Sequence, residues 1–174
     1  MTTVRAFKCN DLLAYNDVNV DALTETYGLA FYLQYLATWP EYFSAATATE
    51  SDVIGYVMGK CEGKNELWHG HVTAVTVAPN YRRQGLAKML MHELEEVTEL
   101  THDGYFVDLF VRVSNAVAIG MYEKFGYSVY RRVLNYYSGE EDGFDMRKAM
   151  RRDVEKKSVI PLTRPVHPWE IEWD

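Results

Sequence analysis

The chain has 174 residues, a formal net charge of −7 at pH 7 and a hydrophobic fraction of 48%. This length suits one compact domain, the composition excludes a disordered or fibrous chain, and two cysteines outside any CxxC spacing, Cys9 and Cys61, fit a reducing, cytoplasmic setting. The acidic excess argues against direct DNA binding, and no apolar run approaches the roughly 20 residues that span a membrane.

The first half of the chain predicts an antiparallel sheet with two short helices. Apolar and β-branched runs indicate three strands, at 4–7, 42–47 and 53–61. Helical spacing predicts one helix beginning at Leu12 and a second over 31–38, which Pro40 stops. Glu50, Ser51 and Asp52 have the residue types of a hairpin turn.

The second half alternates strands with longer helices. Strands are predicted at 71–77, 105–111, 127–135 and 144–149. One helix carries an apolar stripe at positions 86, 90, 94 and 97, and the next follows an N-cap at Ser114 or Asn115 and closes at Gly126. The residues from 151 to 174 show no period. This order predicts a mixed α/β sheet.

The segment Arg82-Arg83-Gln84-Gly85-Leu86-Ala87 has the features of a phosphate-binding loop. It lies between a predicted strand and a helix, whose first N–H groups and positive dipole end attract phosphate oxygens. Gly85 and Ala87 allow close approach, while Arg82 and Arg83 add charge-assisted hydrogen bonds. Neither the Walker loop nor the GxGxxG dinucleotide fingerprint occurs.

A second motif places Asn115 and Tyr122 two helical turns apart, so both project from one side of a helix. In this order the two motifs resemble the Q/R-x-x-G-x-G/A loop and N-x-x-A-x-x-x-Y helix of the GNAT (Gcn5-related N-acetyltransferase) superfamily. The resemblance implies an α/β (α+β) GNAT fold with a mixed central sheet of about seven strands and about four helices. It also implies a domain over 1–150 and a C-terminal tail over 151–174 packed on the domain or a partner.

The same resemblance implies acetyl-CoA as the cosubstrate and assigns its binding residues. The strand backbone around Val75 and Val77 would hold the pantetheine arm, and the amides from Arg82 to Ala87 the pyrophosphate. Tyr122 would donate a proton to the leaving thiolate, with Asn115 beside it. A tyrosine has a pKa of about 10, which suits a proton donor better than a base.

Longer strings resemble one branch of the superfamily, the catalytic subunits of the N-terminal acetyltransferase B (NatB) type. These are Tyr32-Leu33-Gln34-Tyr35-Leu36, Trp68-His69-Gly70-His71-Val72-Thr73, Val107-Asp108-Leu109-Phe110-Val111 and Val133-Leu134-Asn135-Tyr136-Tyr137. The resemblance implies acetylation of the α-amine of proteins beginning Met-Asp, Met-Glu, Met-Asn or Met-Gln. It also implies a helical-repeat auxiliary subunit and association with nascent chains at the ribosome.

The general base is left open between His71, Tyr27 and a water molecule. We favour His71, because imidazole titrates near neutral pH and His71 shares a strand face with Thr73. Related N-terminal acetyltransferases commonly carry Leu-His-Val where this chain has Leu109-Phe110-Val111. Phe110 cannot act as a base, so the resemblance places it in the wall of the methionine pocket.

The resemblance also implies a peptide groove around the candidate base. Its expected residues are Glu25, Tyr27, His71, Thr73, Phe110, Tyr136 and Tyr137. His71 and Thr73 would donate hydrogen bonds to the second side chain of the substrate, whether it is an acid or an amide. No metal is expected, because His69 and His71 lack a third ligand at a recognisable spacing.

Two alternatives remain. A GNAT enzyme acting on lysine side chains or small amines would keep the loop and Tyr122 but differ in the peptide groove. A non-catalytic module would keep the fold and the CoA loop only as structure.

Overall fold

A computed structural model describes residues 2–15, 18–20, 25–49 and 52–171. Within these residues there are three α-helices: α1 (Leu29–Thr38), α2 (Leu86–Glu96) and α3 (Ala116–Lys124). The strands are β1 (Thr3–Ala6), β2 (Phe43–Thr49), β3 (Asp52–Glu62), β4 (His69–Val77), β5 (Phe106–Arg112), β6 (Ser128–Tyr137) and β7 (Glu141–Ala149). None of the helices in the described ranges is long and apolar enough to cross a membrane.

The seven strands follow the sheet order β1-β2-β3-β4-β5-β7-β6, which confirms the predicted seven-stranded α/β fold. The segment predicted to be a helix from Leu12 is instead a 3-10 turn over Cys9–Leu13. Its geometry is fixed by Asp11, whose carboxylate accepts hydrogen bonds from the Arg5 guanidinium and the Lys8 amide. Glu50 and Ser51 of the predicted hairpin turn lie outside the described residues.

The chain divides into two compact units, and the first comprises Met1–Lys60 and Val72–Val97. In this unit β1 pairs with β2, and β2 with β3, all antiparallel, so that Ala45 lies between Arg5 and Tyr56. An aromatic core that includes Tyr32 and Phe43 is buried beside these strands. The sequence favoured strands here because β-branched and aromatic side chains pack well on a pleated surface.

Helix α2 belongs to the first unit and buries the stripe that the sequence predicted. Leu86, Leu90 and Leu94 are all buried, which places one face of the helix in the core. The fourth predicted position, Val97, begins a π-helical turn over Val97–Thr101. The core contacts therefore fix the direction in which the helix begins, and with it the loop from Arg82 to Gly85.

The second unit comprises Cys61–His71 and Thr98–Asp174. Strand β7 pairs antiparallel with both β5 and β6. The C-terminal segment, defined here as residues 157–171, runs along β6: the Val166 amide donates to the Arg132 carbonyl, and the Leu134 amide to that of Val166. Residues 172–174 lie outside the described part of the chain.

Candidate active site

The loop before α2 presents its backbone as a phosphate-binding segment would. Helix α2 starts at Gly85, whose φ of 84° is left-handed, and no side chain caps the helix. Arg83 is also left-handed, with a φ of 62°. The side chains of Arg82, Arg83 and Gln84 are exposed. Because the first N–H groups of a helix have no intrahelical acceptor, this end can bind an anion.

Gly85 is required for its backbone conformation. Glycine is unfavourable inside a helix, but Gly85 lies at the N-cap in the left-handed region, where it is favoured. A Cβ atom at this position would meet no heavy atom within 4 Å. Open space therefore adjoins the helix start, which fits close approach by a diphosphate.

Arg82 links the loop to β4. Its Nε donates a hydrogen bond to the carbonyl of Val77 at 3.0 Å. Val77 has a buried side chain and Val75 a half-buried one, two residues apart on the strand. The Val77 carbonyl is thus used to orient Arg82, which leaves Val75 as the stronger candidate for backbone contact with a pantetheine arm.

Tyr27, Thr73 and Tyr35 form a second group in the first unit. The Tyr27 hydroxyl donates to the Thr73 carbonyl at 3.4 Å, and the Thr73 hydroxyl donates to Tyr35 Oη at 2.9 Å. Burial, together with the negative charge of Glu25, raises the pKa of Tyr27 to about 12. Tyr27 therefore keeps its proton at neutral pH, which argues against its role as a base.

In the second unit, α3 carries Asn115 at its N-cap and Tyr122 in its last turns. The Asn115 side chain accepts a hydrogen bond from the Ala118 amide at 3.1 Å, so it fixes the start of the helix. Tyr122 is buried, and burial raises its pKa to about 12. It is protonated at neutral pH, as a proton donor must be.

His71 is held by a buried carboxylate of β5. Its Nδ1 lies 2.7 Å from Asp108 Oδ1, and both residues are buried. A carboxylate accepts only, so Nδ1 carries the proton and Nε2 is the remaining ring nitrogen. The sequence indicated His71 but not Asp108, although an acid within an otherwise apolar strand is a signal of a buried polar partner.

A row of aromatic rings begins beside His71 in the same unit. The rings of His71 and Phe110 are 5.9 Å apart, and Phe110 stacks on Tyr136 at 4.5 Å. Tyr137 meets Tyr136 edge-on, and the Arg112 guanidinium lies 4.3 Å from the Tyr137 ring centroid. Of the residues expected in the peptide groove, His71, Phe110, Tyr136 and Tyr137 thus form one contiguous set.

The remaining expected groove residues belong to the first unit. Thr73 is joined to Tyr27, and Glu25 has an exposed side chain. The sequence did not indicate Tyr35 as a site residue, because a tyrosine on an aromatic-rich helix has no distinguishing pattern. Within the described ranges no group of three or more His, Cys, Asp or Glu side chains is arranged to hold a metal ion.

Comparison with known proteins gives consistent matches. The sequence profile of the acetyltransferase (GNAT) family matches residues 12–127. The N-terminal acetyltransferase B complex catalytic subunit NAA20 of Arabidopsis thaliana is 64% identical over 174 residues, covering 100% of both chains. The crystal structure of Chaetomium thermophilum Naa20 with a bisubstrate analogue has a TM-score of 0.89 and 42% identity, covering 96% of this chain and 97% of that one.

The NatB acetyltransferase complex bound to a bisubstrate inhibitor contains a chain with a TM-score of 0.85 and 40% identity. This match covers 98% of the present chain and 99% of that one. The predicted family and enzyme class are therefore confirmed. The chain belongs to the acetyltransferase (GNAT) family and, within it, to the N-terminal α-acetyltransferases of the kind that form the catalytic subunits of NatB.

Proposed function

We propose that this chain transfers the acetyl group of acetyl-CoA to the α-amine of proteins beginning Met-Asp, Met-Glu, Met-Asn or Met-Gln, as the catalytic subunit of a NatB-type complex. The observation that carries this proposal is the uncapped start of α2 at Gly85, beside open space and exposed arginines. It supports binding of a diphosphate-containing cosubstrate through backbone amides.

The residues present fit acetyl-CoA. When bound, acetyl-CoA supplies the acetyl group as a thioester that an amine can attack. The amides from Arg82 to Ala87 would hold the diphosphate, with Arg83 adding a guanidinium fork suited to phosphate geometry. The β4 backbone would align the pantetheine arm, chiefly at Val75, since the Val77 carbonyl accepts from Arg82.

Tyr122 is our candidate general acid. Because its pKa is about 12, its phenolic oxygen holds a proton throughout the neutral range. Its position on α3 is set by the Asn115 N-cap two turns earlier. Asn115 therefore contributes by orienting the helix that carries Tyr122.

His71 is our candidate general base. Its Nδ1–H donates to Asp108, which orients the ring and leaves Nε2 as the nitrogen that accepts a proton. The raised pKa of Tyr27 weakens the competing assignment, since the Tyr27 hydroxyl carries no negative charge at neutral pH.

The aromatic set of Phe110, Tyr136 and Tyr137 is the proposed wall for the first methionine. A thioether side chain packs favourably against ring edges and faces. His71 and Thr73, with Tyr35 bonded to the Thr73 hydroxyl, are proposed to meet the second side chain. The Thr73 and Tyr35 hydroxyls can pair with a carboxylate or an amide, and the unprotonated Nε2 of His71 can accept from an amide, which suits the mixed preference.

A helical-repeat auxiliary subunit is the proposed partner, at the ribosome in the cytoplasm. A chain of a solved NatB complex resembles this one. Helix α1 exposes Leu29 and Leu33 to solvent, which supports a docking surface on that helix. Co-expression with the auxiliary subunit, comparing the wild type with a Leu29→Ser, Leu33→Ser double variant, tests this. Unchanged co-purification of the variant would exclude α1 from the interface.

A peptide panel tests the substrate. Initial rates are measured with the auxiliary subunit present, on peptides beginning Met-Asp, Ser-Glu or Met-Leu and on a peptide with a blocked terminus and a free lysine. We expect the Met-Asp peptide to be preferred. Preference for the lysine peptide would favour a lysine acetyltransferase, and no turnover of any peptide would favour a non-catalytic module.

A further inference from the structure

Both ring nitrogens of His69 face acceptors. Nδ1 lies 2.5 Å from the carbonyl oxygen of Leu67, and Nε2 lies 3.4 Å from Asp108 Oδ2 and 3.9 Å from Glu62 Oε1. A carbonyl oxygen only accepts, so Nδ1 carries a proton, and two carboxylates favour a second proton on Nε2. The ring also stacks on Phe106 with a centroid distance of 4.5 Å. These contacts suit an imidazolium ion.

Asp108 is shared between two histidines. Oδ1 accepts from His71 Nδ1 at 2.7 Å, while Oδ2 faces His69. Burial favours the neutral acid, but the positive charge of His69 and the hydrogen bonds from both histidines hold the pKa of Asp108 well below its usual value. Burial also opposes protonation of His69, yet the charge of Asp108 and hydrogen bonds to Asp108 and Leu67 raise the pKa of His69.

We propose that His69 is a buried cation that neutralises Asp108 and thereby keeps His71 uncharged, with Nε2 able to accept the proton of the substrate amine. The proposal rests on the function proposed above, in which His71 is the base. Without a positive charge beside it, Asp108 would act on His71 alone and favour its protonated form. His69 is thus a positioning residue that acts through Asp108.

The neighbouring charges have partners of their own. Among the described residues, the charged groups that line the cavity beside this cluster or act on Asp108 are Glu62 on β3, Arg131 on β6, Asp145 and Arg147 on β7, and Glu170 in the C-terminal segment. Arg131 and Arg147 both bind Asp145, at 2.8 and 3.2 Å, and Glu170 binds Arg164 at 2.7 Å. Both arginines pair with Asp145, which leaves His69 as the cation that faces Asp108 Oδ2.

Imidazole nitrogen NMR of the ¹⁵N-histidine-labelled full chain tests the charge assignment directly. We expect His69 to have both nitrogens protonated at neutral pH, and His71 to carry its proton on Nδ1. His69→Gln and His71→Gln identify the two sets of signals. A neutral His69 at pH 7 would overturn the proposal. No acetyl transfer is needed, so failure of the proposed function would leave this test intact.

The pH dependence of kcat tests the consequence for His71. The two residues are two positions apart on β4, so their side chains are separated by roughly 7 Å. Removing the charge in His69→Gln should move the acid limb of the pH–kcat profile towards alkaline pH by about one to two pH units. Turnover should recover towards alkaline pH, which a merely structural loss would prevent.

The matched control is His92→Gln, which removes an exposed histidine of α2 and should leave the limb in place. Kinetics are measured on the full chain with its auxiliary subunit, at saturating peptide, because kcat reports groups in the enzyme–substrate complex. An acid limb unmoved in His69→Gln would overturn the proposal. If that variant does not fold, the wild-type imidazole spectra still decide the matter.

Discussion

Two glycines provide a matched test of the backbone at the cosubstrate loop. Gly85 and Gly120 both have room for a methyl group, since a Cβ would meet no heavy atom within 4 Å at either position. They differ in conformation: Gly85 is left-handed with a φ of 84°, whereas Gly120 lies inside α3. Alanine at the two positions therefore separates backbone strain from steric crowding.

The expected effects have opposite signs. Gly85→Ala should lower the free energy of unfolding by about 1–2 kcal/mol, the cost of a left-handed residue with a Cβ. Gly120→Ala should raise it by about 0.5–1 kcal/mol, because alanine is the better helix former. If the loop of the Gly85 variant instead leaves the left-handed conformation, the alanine costs little stability. The loss then falls on cosubstrate binding, as an increase of roughly tenfold in the KM for acetyl-CoA.

Urea unfolding without ligand, followed by steady-state kinetics with varied acetyl-CoA, measures both quantities. The KM for the peptide should stay near the wild-type value in Gly85→Ala. If Gly85→Ala is as stable as Gly120→Ala and binds acetyl-CoA normally, the left-handed start of α2 is not what makes glycine necessary.

Tyr122→Phe should lower kcat by about 10²-fold with little change in the KM for acetyl-CoA, because one proton donor is lost. Asp11→Asn should cost about 1–2 kcal/mol of unfolding free energy at pH 7, since the charged pair with Arg5 is broken. Hydrogen bonds from Arg5 and Lys8 outweigh burial and hold the pKa of Asp11 low, so this stability is present above about pH 4 and disappears as pH falls through the lower folded value. Ile171→Ala, in the cluster that packs on Phe110, should cost about 2 kcal/mol and raise the peptide KM selectively.

These three expectations are checked by steady-state kinetics, by urea unfolding between pH 3 and pH 7, and by KM values for both substrates. Undiminished turnover in Tyr122→Phe would remove the general-acid assignment. A stability deficit of Asp11→Asn that persists unchanged at pH 3 would contradict the ion-pair argument. An equal rise of both KM values in Ile171→Ala would indicate general loosening rather than an effect on the peptide side.

The sequence predicted those parts of the site whose pattern is local. Helical spacing located the buried face of α2 at Leu86, Leu90 and Leu94, and the loop before it followed directly. The left-handed conformation of Gly85 was not predicted, since a periodic pattern locates a helix without fixing its first residue. The strand that contains Asp108 was predicted from its apolar residues. The pattern assigned no role to Asp108, because a single acid in an apolar run leaves the strand prediction unchanged.

Pairings between distant segments explain the remaining differences between the sequence-based predictions and the structure. His71 and Asp108 come from strands 37 positions apart in the sequence, so their hydrogen bond depends on the fold of the unit. The 3-10 turn at Cys9–Leu13 depends on the contact between Arg5 and Asp11, which no propensity scale includes. Local propensity gave an α-helix there, and a tertiary ion pair selected a tighter turn.

The position of the C-terminal segment has a consequence for synthesis of the chain. Strand β6 is the outermost strand of the sheet order, and the segment covers its edge through hydrogen bonds such as that from the Leu162 amide to the Tyr130 carbonyl. An open edge is a template for pairing with other chains. On the ribosome, β6 emerges before its cover does, so for on the order of a few seconds the nascent protein presents an aggregation-prone edge. A premature stop codon before residue 160 would make that state permanent, and the truncated protein would form intermolecular sheets.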